Sequence, residues 1–428
     1  MFSRIRKFSI IYFHGMNQFT ETPEILKLLD QISEKGLDRK IYSDLTDSDG
    51  NQYVDLVQEG GGVLGIALTG YTWVLEKCGI RFFNLAGTSA GAINTMMIAG
   101  LGKIGEPVSG KITGILGRKD LSEFMDGNSR IRNLITRYIE NKPFLKLFVF
   151  LNAFRIWRII RRHLGLNPGM EFENWLAGCL EENGIKTLAD LRQLRAEIPV
   201  LFDRTDNYAA TARVPDLQII TSDITTKTKV VFPEMAGLYW EEPEKVNPAK
   251  FVRASMSIPF FFYPFLVENI PRAGETETRG MRGSAATWRK HAGYYGEIPG
   301  KVHFIDGGLL SNFPINAFHI KAGVPKKPTF GVKLSAWRKS YTIPRTAGSM
   351  TAAMVATMRQ LHDYDFLLRN PDYNSLICHI DADAQFNWLD FNITPERQAA
   401  LFYLGAEKAV GFLERFNWED YKKIRSSN

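Results

Sequence analysis

The chain has 428 residues, 45% of them hydrophobic and 23% charged, an ordinary globular balance with length for one large core or two to three smaller ones. Its net charge of +7 is either ordinary surface charge or a mild preference for anionic partners, lipid or nucleic acid. Three widely separated cysteines, Cys78, Cys179 and Cys378, exclude a disulfide framework or a cysteine metal site and fit a reducing compartment.

The first residues, Met1 to Phe13, begin like a signal peptide, but the apolar run stops at His14 and no small-x-small cleavage site follows, so secretion by this route is not expected. No stretch reaches the roughly 18 uninterrupted apolar residues of a membrane span. The expectation is a cytoplasmic protein, soluble or peripheral to a membrane. Residues 1–50 read as an appendage, with one amphipathic helix over Glu24 to Lys35 carrying Ile25, Leu28, Leu29 and Ile32.

Tyr53 to Val57 alternates as a strand and runs into Gly60-Gly61-Gly62-Val63-Leu64-Gly65, with a helical segment Ile66 to Lys77 beyond. A glycine loop between strand and helix aims backbone N–H groups at an anion, either a phosphate or an acyl-transfer oxyanion. The nucleotide fingerprint requires an acidic residue after the next strand, and a P-loop requires Gly-Lys-Ser/Thr; both are absent. The next strand, Arg81 to Leu85, instead ends in Gly87-Thr88-Ser89-Ala90-Gly91, and a helical run to Ala99 follows. Strand, sharp turn and helix make a nucleophile elbow, in which Gly87 and Gly91 permit close approach and Ser89 projects over a helix N-terminus.

Residues 101–200 read as mostly helical. Phe144 to Leu166 combines five aromatic residues with Arg155, Arg158, Arg161 and Arg162. It is either a core-facing helix with a solvated basic face or one lying in a lipid interface. Met170 to Leu180 and Leu188 to Leu194 are further helices, Leu217 to Asp223 a buried strand, and Val230 to Phe232 another. A small-residue helix, Phe251 to Ser257, ends at Pro259 before the aromatic run Phe260 to Tyr263, some of which is expected to line a pocket. Residues 268–301 read as a flexible basic insertion. Val302 to Ile305 is a strand ended by Asp306-Gly307-Gly308, where the aspartate is either a turn residue or one aimed into a cleft. Thr329 to Leu334 and Ser375 to Ile380 are strands, and Ser349 to Arg369 and Thr394 to Phe416 are helices. Alternating strands and helices point to an α/β architecture with a mostly parallel sheet. The expected division is an appendage at 1–50, a catalytic domain at 51–340 including the insertion, and a helical part at 341–428 packed on the same domain.

Glycine loop, serine elbow, Ala254-Ser255-Met256-Ser257-Ile258-Pro259 and Asp306-Gly307-Gly308 occur in that order, and together they resemble the patatin-like phospholipases, over about residues 53–334. The resemblance implies a three-layer α/β/α fold related to the α/β-hydrolases and a Ser89–Asp306 catalytic dyad without histidine, although His303 and His319 lie near the aspartate motif. It also implies an oxyanion loop at Gly60, Gly61, Gly62 and Val63, with Gly87, Gly91, Gly307 and Gly308 shaping the elbow and the dyad turn. The implied activity is release of fatty acid from a membrane lipid, of phospholipase A or lysophospholipase type, through an acyl-enzyme. No cofactor, metal or nucleic acid is expected, and membrane contact through residues 144–166 is. Many relatives carry Arg or Lys where this loop has Leu64, which leaves a neutral glyceride lipase, a non-specific esterase or a non-catalytic lipid-binding protein as alternatives.

Overall fold

A computed structural model describes residues 18–139, 145–205, 213–272, 284–336, 341 and 343–427. Among these residues twelve strands are numbered in chain order. They are β1 (Leu45–Asp47), β2 (Gln52–Gln58), β3 (Ile80–Thr88), β4 (Gly165–Asn167), β5 (Leu201–Asp203), β6 (Leu217–Asp223), β7 (Thr228–Phe232), β8 (Phe260–Phe262), β9 (Phe265–Glu268), β10 (Lys301–Asp306), β11 (Thr329–Lys333) and β12 (Ile377–His379).

The main sheet is mixed, with helices on both sides. Its centre is parallel, in the order β12-β11-β2-β3-β6. Antiparallel strands complete it: β7 and β10 on β6, β9 on β10, and β1 between β2 and β5. β2 is buried along its whole length, as a central strand covered on both faces should be. The helix α2, which we number after α1 (Pro23–Glu34) and before α3 (Ala90–Gly100), spans Gly65–Lys77. It is apolar nearly all round and buried from Ile66 to Glu76, packed between α3 and the helix Pro395–Arg415.

One feature of the register positions the site. β3 pairs with the first half of β6, bringing Thr88 opposite Ile220. β10 runs antiparallel to the second half, bringing Asp306 opposite Thr221. Because β7 occupies the other edge of β6 along Ile219–Asp223, β3 and β10 share one edge and meet tip to tip. The residues that end the two strands are therefore neighbours across a long sequence separation.

Two regions differ from the sequence reading. The described part of the first fifty residues is built into the molecule: Phe19, Ile25, Leu28, Ile32, Leu37 and Tyr42 belong to the main apolar cluster, and β1 joins the sheet. Within 268–301, residues 273–283 lie outside the described residues; the rest carries the helix Ala285–Ala292, anchored by the buried Trp288 against Tyr239 and Tyr294. Burial of an indole that size fixes a segment which glycine content alone marked as loose.

Candidate active site

β3 delivers Ser89 to the turn before α3. Its backbone lies at φ 52° and ψ −116°, a sparsely populated region for a residue with a side chain. The turn is held from both sides. Ser89 N–H donates to Ser255 Oγ at 2.9 Å, and Ser255 Oγ donates to the Ile220 carbonyl at 2.5 Å. The elbow needs small neighbours: a Cβ on Gly91 would lie 2.3 Å from the Gln58 carbonyl oxygen.

Asp306 ends β10. Its N–H donates to the Ser257 carbonyl at 2.9 Å, its carboxylate accepts from Gly308 N–H at 2.7 Å, and the Ser89 side chain lies beside that carboxylate. Burial holds the carboxyl above the ordinary aspartate range; the Arg359 guanidinium, the Ser89 hydroxyl and the Gly308 amide each oppose that shift. Ser89 and Asp306 are 3% and 8% exposed. Thr88 Oγ1 donates to the Ser311 carbonyl at 2.9 Å and ties the two strand ends together. His303 lies within β10, and His319 bonds the Tyr373 hydroxyl at 3.0 Å and packs on Phe366.

The glycine loop sits beside Ser89: a Cβ on Gly60 would lie 3.0 Å from the Ser89 Cβ. Its four amides are not equivalent. Gly60 N–H donates to the Asn312 carbonyl and Val63 N–H to the Trp388 carbonyl, each at 3.0 Å. No acceptor for the Gly61 and Gly62 amides is found among the described residues. Gly62 has φ 56°, and a Cβ there would meet the Trp388 carbonyl oxygen at 2.2 Å, so only glycine fits.

Behind the loop, the buried Glu59 carboxylate accepts from the amides of Leu334 at 2.6 Å and Ser335 at 2.9 Å, and pairs with Lys333 Nζ at 3.4 Å. Asn312 Nδ2 donates to Glu59 at 3.3 Å and to the Gly60 carbonyl at 3.2 Å, while its Oδ1 accepts from Arg359 at 2.9 Å. Arg359 comes from the helix Ala347–Arg369 and also stacks near Trp388. Ser255 lies in a segment the sequence had marked. Glu59, Asn312, Arg359 and Trp388 were not singled out, because their roles are contacts between distant elements.

A cavity of about 670 Å³, part of it open to solvent, begins at Ser89 and Gly62 and is lined by apolar side chains including Ile66, Met97, Leu121, Phe172, Met256 and Phe391. The run Phe260 to Tyr263 is not among the lining residues. Phe261 and Phe262 stand behind the wall, against Phe391, and Phe260 is 66% exposed. Of the remaining part of 268–301, no residue lines this cavity.

A sequence model of the patatin-like phospholipases matches residues 56–319. The uncharacterized protein YqhO of Bacillus subtilis (strain 168) is 30% identical over 368 residues, covering 86% of this chain and 100% of its own. Among solved structures, VipD from Legionella pneumophila aligns with 88% of this chain and 71% of its own, at 17% identity and a TM-score of 0.41. The structure of the ExoU–SpcU complex from the type III secretion system of Pseudomonas aeruginosa aligns with 86% of this chain and 52% of its own, at 16% identity and a TM-score of 0.33. The span matched by the family includes the glycine loop, the serine elbow and the Asp-Gly-Gly turn, and the chain belongs to the patatin-like phospholipase family.

Proposed function

We propose that the protein hydrolyses acyl esters of lipid, as a phospholipase A or lysophospholipase, through Ser89 and Asp306. The observation that carries this reading is a strained, buried serine beside a buried carboxylate, on the lining of an apolar cavity. A serine hydroxyl is a poor nucleophile without a base in hydrogen-bond reach. Asp306 takes the Ser89 proton as Oγ bonds to the ester carbonyl carbon. The raised carboxyl pKa makes this aspartate a stronger base than one in water. It then returns the proton to the departing alcohol as the ester bond breaks. Water then attacks the acyl carbon and gives a proton to Asp306, the bond to Ser89 Oγ breaks, Oγ takes the proton from Asp306, and the fatty acid leaves.

The negative charge on the former carbonyl oxygen needs donors that are free before the substrate arrives. Gly61 and Gly62 supply them; Gly60 and Val63 hold the loop in shape. The apolar cavity takes the acyl chain. Arg359 stands beside Asp306 although Leu64 leaves the loop itself without a cation, which favours an ester with an anionic head group over a neutral glyceride.

The test is incubation of wild type and Ser89→Ala with mixed phospholipids and glycerides, with products resolved by mass. Wild type should release fatty acid and lysophospholipid, and the variant should lose activity by about 10⁶-fold. Retained activity in the variant would remove the assignment. Release from glycerides alone would move the substrate to neutral lipid.

A further inference from the structure

The helix Ala347–Arg369 is built of two unlike halves. The second half is anchored. Arg359 bonds Asn312, Asp363 accepts from the Phe313 amide at 2.9 Å, Phe366 packs on His319 and Tyr373, and Leu367 is buried. The first half, Ala347 to Met358, contains no charged residue in twelve positions and runs for about 18 Å. Met354, Val355, Ala356, Thr357 and Met358 are all exposed. Successive residues advance about 100° around a helix, so five in a row occupy every face.

An uncharged helix exposed on all sides is unusual in water, where apolar surface is turned inward and the outer face is polar. Its hydroxyls do not repair this. Thr357 Oγ1 donates to the Ala353 carbonyl at 2.8 Å, Ser349 is engaged in the capping box with Thr346, and Thr351 is also partnered. Met350, Met354 and Met358 recur at the four-residue spacing of one stripe, 53%, 57% and 47% exposed. Tyr341 and Ile343, just upstream, are exposed too. The two cations that bracket the segment are Arg345, exposed, and Arg359.

We propose that Ala347–Met358 is the surface by which the protein docks on a lipid aggregate. The inference deepens the hydrolase reading and rests on it for the nature of the partner. A protein partner would cover one side of the helix, whereas here the apolar surface runs all round, as insertion among acyl chains requires. Flexible, unbranched methionines suit a surface without fixed shape, and the bracketing arginines suit anionic head groups. The anchored half places this segment next to the reacting groups: Arg359, one residue beyond Met358, adjoins Asp306, and Trp388, near Arg359, caps the glycine loop. A lipid drawn from the aggregate would meet this group of residues first.

The test separates docking from catalysis. Binding is read by flotation of the full chain carrying Ser89→Ala with vesicles of phosphatidylcholine and phosphatidylserine. Adding Met354→Glu and Met358→Glu should reduce the vesicle-bound fraction roughly tenfold or more, and Met354→Leu with Met358→Leu should restore it. In the Ser89 background, hydrolysis of a water-soluble short-chain ester should be unchanged by the two glutamates, which shows that the fold and dyad are intact. Undiminished flotation of the glutamate variant overturns the proposal. So does a dimer in solution that the glutamates dissociate, with no vesicle binding by the parent. Methionine-dependent flotation without any hydrolysis by wild type would leave docking standing and remove the hydrolase reading instead.

Discussion

Ser89 keeps an unfavourable backbone conformation because its neighbours determine it several times over, through the Ser255 bond, the Thr88–Ser311 tie and the Gly91 contact. Asp306 is held in the opposite balance. Burial raises its pKa while Arg359 lowers it. In the proposed mechanism the base works only when ionised, so kcat/KM should rise with pH through the Asp306 pKa. Removing the Arg359 charge raises that pKa further. Arg359→Met should therefore move the acid limb of the profile to higher pH, with residual activity recovered under alkaline conditions. An unmoved limb would mean that Arg359 serves the packing of its helix and not the carboxylate. Ser89 and Asp306 stand out in the sequence because each sits in a local pattern of strand, glycine and turn. Arg359 does not, because nothing around it in sequence distinguishes a helix arginine that reaches a carboxylate from one that reaches water.

At the scale of elements, the glycine loop shows what spacing reveals and what it conceals. Strand, glycines and helix are a local pattern, so a loop that presents amides is expected from the sequence. Which amides remain free is not, because Asn312 and Trp388, far along the chain, take two of the four. Gly62→Ala tests the distinction. The added methyl meets the Trp388 carbonyl at 2.2 Å and disfavours φ 56°, so it should displace the loop and lower kcat by about 10²–10³-fold with little change in KM. A rise in KM alone would place the loop in substrate binding. The aromatic run Phe260 to Tyr263, part of which is expected to line a pocket, stands off this cavity for a similar reason. β8 pairs with β4, a partner three residues long with no sequence signal, and that pairing turns Phe261 and Phe262 toward Phe391 and Phe260 to solvent.

The whole molecule joins four elements around one group of charges. Asp363 from the helix Ala347–Arg369 lies with Glu59 before the glycine loop, Lys333 at the end of β11 and Lys229 on β7. Burial lifts the Asp363 carboxyl to about 7, against the pull of Lys333, the Phe313 amide and Lys229, with Glu59 adding to the rise. Alternating strands and helices made the α/β class and the parallel centre readable, and the long periodic helices with them. The tip-to-tip meeting of β3 and β10 was hidden, since it depends on β7 covering the far edge of β6, and so was this charge group, which no segment contains. Its consequence is a dependence of stability on pH. An unfolded aspartate titrates near 4, so the folded protein holds the Asp363 proton more tightly. That stabilisation is complete below about pH 4 and is lost as pH rises to about 7. Asparagine keeps the carbonyl that accepts from Phe313 and cannot ionise. Asp363→Asn should therefore be less stable than or equal to wild type in acid and gain on it by a few kcal/mol, on the order of the shift converted at ~1.4 kcal/mol per unit, between pH 4 and 7. Urea unfolding of both proteins across that range measures the difference directly, and parallel stability curves would show that Asp363 remains ionised in the fold, paired with the two lysines.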